Sequence, residues 1–270
     1  VKLYISVDME GISGIHDRSY ILPDRLNYQR GRQLMTEDVN VVVETALACG
    51  AREIVVADSH FEGNNLLIER LHPQARLISG FQRSGYMMHG LDGSYDGVLL
   101  LGYHARSGAS GLLSHTMTPI VRNCRINGQV VGEFGLNAIY AGLFDVPVWL
   151  VSGDDQLALE AKQLVPTVHT AVVKETVSWQ AAKCLPLEES RAVLRRRTQE
   201  AIQRRGEGRP LKTSHPLEMK VEFSHRGQAE MAALLPQAEL DRETTVTISI
   251  QQPQALLTTL GAMLALAGQV

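Results

Sequence analysis

Asp8 and Glu10 close a short apolar run, Leu3-Tyr4-Ile5-Ser6-Val7, and stand two residues apart. On a continuing strand, both carboxylates face the same way. Asp58 and His60 close a second apolar run, and Gly102-Tyr103-His104 follows a third, Val98 to Leu101. Ligands of open α/β sheets bind beyond the carboxyl ends of the strands. Three strand ends therefore deliver Asp8, Glu10, His60 and His104 to one edge. Each residue alone has an ordinary structural explanation, such as a helix cap or a hydrogen-bonded histidine. Together, two carboxylates and two imidazoles are costly to bury unless a cation neutralises them. That donor mixture suits zinc, manganese or cobalt better than calcium or copper.

His115 sits in Ser114-His115-Thr116, just after a glycine-containing loop from Ser107 to Gly111. A histidine there can act as general acid or base, can hold a developing oxyanion, or can be an ordinary surface residue. Glu133 opens an expected helix, where a carboxylate is also favoured by the helix dipole. Asp154 and Asp155 follow an apolar run and open another helix, which reads as an N-cap. No base stands near Cys124 or Cys184 in the sequence, so a thiol nucleophile is unsupported.

The elements that must position these residues alternate. Apolar strands are expected at Leu3 to Val7, Glu53 to Ala57, Val98 to Leu101 and Pro147 to Val151. Helices are expected at Asn27 to Cys49, Asn65 to Leu71, Glu133 to Leu143 and Gln156 to Leu164. Asn127-Gly128 inside Val121 to Val131 signals a hairpin. This is an α/β pattern, a mainly parallel sheet with helices on both faces. The texture changes after Pro166. An arginine-laden helix spans Leu187 to Arg205, and a polar linker covers Gly206 to Pro216. Met219 to Phe223, Gln228 to Leu235, Thr244 to Ile250 and Gln254 to Ala267 then read strand, helix, strand, helix. The expected organisation is a metal-binding catalytic α/β domain over 1–166 and a smaller C-terminal α+β unit over 167–270.

Bulk properties narrow the class. The chain has 270 residues, 44% hydrophobic and 20% charged, with a net charge of −3. Nothing in that balance favours nucleic acid or an anionic membrane as partner. The arginines of Leu187 to Arg205 lack interleaved aromatics and read as a solvated or interface face. No apolar run reaches the ~20 residues that span a bilayer, and no charged segment with an apolar core precedes the first strand. Three widely spaced cysteines suggest neither a disulfide framework nor a zinc knuckle, so a reducing cytoplasm is expected.

The motifs Ser6-Val7-Asp8-Met9-Glu10-Gly11, Asp58-Ser59-His60, Gly102-Tyr103-His104-Ala105, Ser114-His115 and Gly132-Glu133-Phe134-Gly135-Leu136-Asn137-Ala138 occur in that order. In order and spacing the chain resembles the zinc-dependent D-aminopeptidases of the DppA type, over nearly its whole length. The resemblance implies that Asp8, Glu10, His60, His104 and Glu133 ligate two zinc ions, with Asp8 bridging. It implies that His115 is catalytic. It also implies removal of D-amino acids from the amino end of short peptides or amino-acid amides, and a homodecamer of two stacked five-membered rings. Charge counting agrees with two ions. Three carboxylates leave one divalent ion outweighed, whereas two ions and a hydroxide balance them, and five donors exceed one tetrahedral zinc. Attack by a metal-activated hydroxide would cleave the amide. A two-metal phosphoesterase and a non-catalytic metal-binding α/β protein are the alternatives. D versus L selection depends on pocket shape, which spacing does not reveal.

Overall fold

A strand buried on both faces must be apolar at consecutive positions, because neighbouring side chains point to opposite sides. The first strands meet this condition in the computed structural model, which describes residues 1–270. The elements in chain order are β1 (Lys2–Val7), α1 (Tyr28–Ala48), β2 (Glu53–Asp58), β3 (Ala75–Ile78), β4 (Gly97–Leu101), β5 (Val121–Ile126) and β6 (Gln129–Val130). Next come α2 (Glu133–Gly142), β7 (Val148–Asp154), α3 (Asp155–Leu164), β8 (His169–Ser178), β9 (Ala181–Cys184) and α4 (Leu187–Gln203). The chain ends with β10 (Leu217–Phe223), α5 (Arg226–Ala232), β11 (Ala238–Arg242), β12 (Thr245–Ile250) and α6 (Leu256–Ala267).

Seven strands form one sheet in the order β3-β2-β1-β4-β7-β8-β9. All neighbours are parallel except β9, which returns antiparallel on β8. The sheet divides two cores by strand alternation. Leu3, Ile5, Val7, Ile54, Val56, Leu99 and Leu101 face a core shared with α1 and α4. Tyr4, Val55, Ala57, Val98 and Leu100 face the other core, shared with α2, α3 and the second sheet. The arginine-laden α4 buries Ser190, Leu194, Thr198, Ala201 and Ile202 and leaves its arginines toward the outside, as an amphipathic helix should.

The second sheet is antiparallel, in the order β11-β12-β10-β5-β6, with α5 and α6 against it. It recruits the Asn127-Gly128 hairpin, because β5 pairs with β10 through Met219↔Ile126 and Val221↔Cys124. The seven-stranded sheet in turn takes β8 and β9 from beyond residue 166. The two sheets therefore do not divide at residue 166.

The short helix expected at Asn65 to Leu71 is a set of turns instead. Its first donors are captured from outside. Asp58 accepts from the backbone N–H groups of Asn65 at 2.6 Å and Leu66 at 2.7 Å. Strands β3, β9 and β11 were not expected. They are short, partly exposed edge or hairpin segments without a continuous apolar run.

Parallel register aligns the strand ends that matter. Val7 pairs with Asp58 on one side and Leu101 on the other, so the residues after each strand emerge at the same level. Two glycines let the emerging segments touch. The N–H of Gly11 donates to the Gly102 carbonyl at 2.7 Å. A Cβ on Gly11 would lie 2.0 Å from the Tyr103 carbonyl oxygen. Gly102 has φ +69, and a Cβ there would lie 2.2 Å from the Asp8 carbonyl oxygen. Only glycine permits this approach without strain.

Candidate metal centre

Beyond these strand ends, Asp8, Glu10, His60, His104 and Glu133 are all buried. Glu133 arrives from a different direction, on the first turn of α2. His60 Nδ1 lies 3.1 Å from Asp8 Oδ1 and 3.2 Å from Glu10 Oε2. His104 Nε2 lies 3.4 Å from Asp8 Oδ2 and 3.3 Å from Glu133 Oε1. Donor atoms therefore gather in two triads, Asp8-Glu10-His60 and Asp8-His104-Glu133, each compact enough to hold an ion. Asp8 is common to both. A third grouping, Glu10-His104-His115, lies between them.

Three features fit a cation. Asp8 Oδ2, Glu10 Oε2 and His104 Nε2 are buried with no hydrogen-bond partner, a costly arrangement unless something else satisfies them. The histidines are oriented from behind. His60 Nε2 donates to the Ile21 carbonyl at 2.8 Å, and His104 Nδ1 to the Ala105 carbonyl at 2.9 Å. In each neutral ring the remaining nitrogen then offers its lone pair to the cluster, the usual second partner of a metal-binding histidine. Ionisation is also frustrated. Burial, with Glu10 beside it, pushes Asp8 up to about 8. Burial opposes ionised Glu10 as well, but the charge of His60 holds that carboxyl well below the usual range. His60 and His104 are driven well above an ordinary histidine, against burial, by Glu10 and Glu133 respectively.

His115 faces the same cluster. Its ring stacks on His104 with centroids 4.1 Å apart and planes 9° from parallel. Nδ1 donates to the Leu113 carbonyl at 2.8 Å, which turns Nε2 toward Glu133 at 3.7 Å and Glu10 at 3.9 Å. Burial and the charge of His104 lower its pKa. Its loop is fixed at both ends by residues with positive φ, Leu113 at 51° and Met117 at 62°. The Met117 N–H donates to Glu133 Oε1 at 2.6 Å, and the Leu113 N–H to the Trp179 carbonyl at 2.8 Å. Asp154 caps α3 as expected, accepting from the Leu157 N–H at 2.7 Å. Its second oxygen also holds the Leu112 N–H at 2.7 Å, so the cap anchors the His115 loop.

The peptidase M55 family model, described as D-aminopeptidase, matches residues 1–262. A D-aminopeptidase of Bacillus subtilis (strain 168) is 45% identical over 256 residues, covering 95% of this chain and 93% of the relative. A solved structure superposes with a TM-score of 0.99 at 43% identity, covering 100% of this chain and 99% of that one. It is described as the zinc-dependent D-aminopeptidase DppA from Bacillus subtilis, a self-compartmentalizing protease. The chain belongs to the D-aminopeptidase family.

Seen within that family, the fold brings together every residue singled out from the sequence as a ligand or catalyst. It also shows supporting residues that sequence reasoning missed. The Ser6 hydroxyl bonds the Ser59 and Tyr103 hydroxyls, each at 2.7 Å, and Asn137 Nδ2 donates to the Tyr103 hydroxyl at 2.8 Å. Ser59 precedes His60, Tyr103 precedes His104, and Asn137 lies one turn beyond Glu133 on α2. One buried network thus cross-links the neighbours of the cluster. Their adjacency to the motif residues was the available signal. Asp58, although within a motif, faces away. It binds the Asn65 side chain at 2.8 Å, which in turn holds the His60 carbonyl at 2.6 Å.

Proposed function

We propose that this protein is a dinuclear zinc aminopeptidase that releases amino-terminal D-amino acids from short peptides or amino-acid amides. The observation that carries the dinuclear reading is the sharing of Asp8 by two buried donor triads. Asp8, Glu10 and His60 would hold one ion, and Asp8, His104 and Glu133 the other. Two divalent ions, when bound, supply Lewis acidity at the scissile carbonyl and make water a nucleophile near neutral pH. Manganese or cobalt would fit the same mixed donors.

The chain's own residues do the rest. His60 and His104 are aimed by the hydrogen bonds of their far nitrogens to the Ile21 and Ala105 carbonyls, and would be neutral with the ions bound. His115 Nε2 stands beside the cluster without being locked to one partner, where it can stabilise the developing oxyanion or deliver a proton to the leaving amine. With Nδ1–H bonded to the Leu113 carbonyl, Nε2 of the neutral ring has the lone pair to take up that proton first, and once protonated it can donate to the oxyanion. Burial of the carboxylates excludes competing water and strengthens each charge. A carboxylate of the cluster would bind the free α-ammonium, which restricts cleavage to the amino end. The D preference rests on the family and on the activity named for its relatives. The relative's self-compartmentalizing character supports a closed homo-oligomer for this chain; a decamer of two five-membered rings is what the family resemblance implies. No helix is long and apolar enough to cross a membrane. Three free cysteines fit a reducing cytoplasm.

The test is an assay of zinc-reconstituted protein on D-alanine amide, N-acetyl-D-alanine amide and a phosphate monoester. Turnover of the free-amine amide alone supports the reading. Turnover of the phosphate ester alone, or of no substrate with zinc fully bound, refutes it.

A further inference from the structure

One buried charge takes no part in the chemistry above. Lys174, in β8, is 1% exposed. Its ammonium donates to three backbone carbonyls, of Glu10 at 2.7 Å, Ile12 at 2.8 Å and Ile15 at 2.5 Å. All three protons are used, and no carboxylate forms a salt bridge with it. Burying an ammonium without a carboxylate partner is expensive, and burial lowers its pKa to about 8. An apolar side chain would fill the same space more cheaply.

The three carbonyls belong to the segment that leaves β1 and carries Asp8 and Glu10. That segment has only turn structure between β1 and α1; the Ile12 carbonyl also accepts from the Ile15 N–H at 3.2 Å, but the buried Glu10 and Ile15 carbonyls need partners from elsewhere. A donor of the loop is held as well, because Asp38 in α1 accepts from the Ser13 N–H at 2.9 Å. The loop is therefore gripped by a cation on its acceptors and an anion on a donor. The first carbonyl in the grip belongs to Glu10 itself, whose side chain reaches His60 at 3.2 Å and His115 at 3.9 Å.

We propose that Lys174 is a positioning residue of the metal centre, its ammonium fixing the backbone that aims Asp8 and Glu10 at the ions. This rests on the reading of the cluster as a divalent-metal site. Partners that orient ligands from behind are worth about 10- to 100-fold in metal affinity. Sequence reasoning passed over Lys174 because a lysine in a strand is ordinarily a solvated residue.

The experiment titrates zinc into metal-free full-length wild type, Lys174→Met and Lys174→Gln against a competing chelator. Circular dichroism checks the fold, and visible absorption of the cobalt-loaded proteins reports ligand geometry. Lys174→Met is expected to stay folded, to weaken zinc by about 10- to 100-fold and to shift the cobalt bands. Lys174→Gln, which keeps two donors, should recover part of both. Zinc affinity within about twofold of wild type in either folded variant, with unshifted cobalt bands, overturns the proposal. If only Lys174→Gln folds, it carries the same two outcomes. If neither folds, the ammonium serves the fold and not the centre, and the proposal is overturned. Wild type that binds no zinc overturns the metal reading itself, and the proposal with it.

Discussion

Replacing Asp8 by Asn separates a shared ligand from an unshared one. The side chain keeps its shape but loses its charge. Each donor triad carries two carboxylates and one imidazole, and Asp8 is counted in both. Asp8→Asn therefore halves the formal negative charge at both positions at once. His60→Asn removes a neutral donor from the first triad only, and His104→Asn from the second only. Loss of an orienting partner already costs about 10- to 100-fold in metal affinity. Loss of a charged ligand should exceed the upper end, at least ~100-fold or ~2.7 kcal/mol, at each position. The assay is zinc stoichiometry by elemental analysis after dialysis against a fixed free-zinc concentration that fills the wild type. Wild type should hold two zinc ions per chain, each histidine variant close to one, and Asp8→Asn close to none. One tightly held zinc in Asp8→Asn, with the histidine variants also at one, would show that Asp8 serves a single position and would refute the bridging argument.

Three further outcomes follow from named contacts. His115→Ala removes a group that touches the cluster without belonging to either Asp8 triad; kcat should fall by about 10²- to 10⁴-fold while zinc content, measured on the same sample, stays at the wild-type level. Asn65→Ala removes the side-chain donor to Asp58 Oδ1 and frees the His60 carbonyl, while the backbone N–H groups of residues 65 and 66 still reach Asp58; denaturant unfolding should show a loss of about 1–3 kcal/mol, with weaker zinc binding. Asp38 is pushed up to about 6 by burial, so the folded state binds its proton more tightly than the unfolded chain, whose carboxyl has the ordinary value of 3.8. Its contribution is therefore fully present below about pH 4 and is lost as pH rises through about 6. Asp38→Asn, which resembles the protonated acid, should remove that fall, seen as a wild-type-minus-variant stability difference that decreases between about pH 4 and 6 and is flat above.

The part of the site legible in the sequence was the part delivered by strand ends. Asp8, His60 and His104 follow apolar runs, and parallel register alone brings such ends together. Glu133 was held by family resemblance, because its approach from the start of α2 depends on how that helix crosses the sheet edge. Lys174 and Asn137 escaped for a related reason. Their partners are 164 and 34 residues distant in the chain, and no local pattern encodes such pairing. The same limit applies to the second sheet. The Asn127-Gly128 hairpin was evident, but its pairing with β10 was not. Around Asn65 the chain forms turns, and periodicity could not show that Asp58, at the end of β2, holds the Asn65 and Leu66 N–H groups.

The central claim is that this Asp8-centred cluster, loaded with zinc, cleaves the amide beside a free D-configured amino end. The most direct measurement compares release of alanine from D-alanyl-D-alanine and L-alanyl-L-alanine by the same zinc-reconstituted sample. The account predicts zinc-dependent turnover of the D,D dipeptide well above that of the L,L dipeptide. Equal turnover, preference for L,L, or no turnover of either with both zinc positions filled would contradict it.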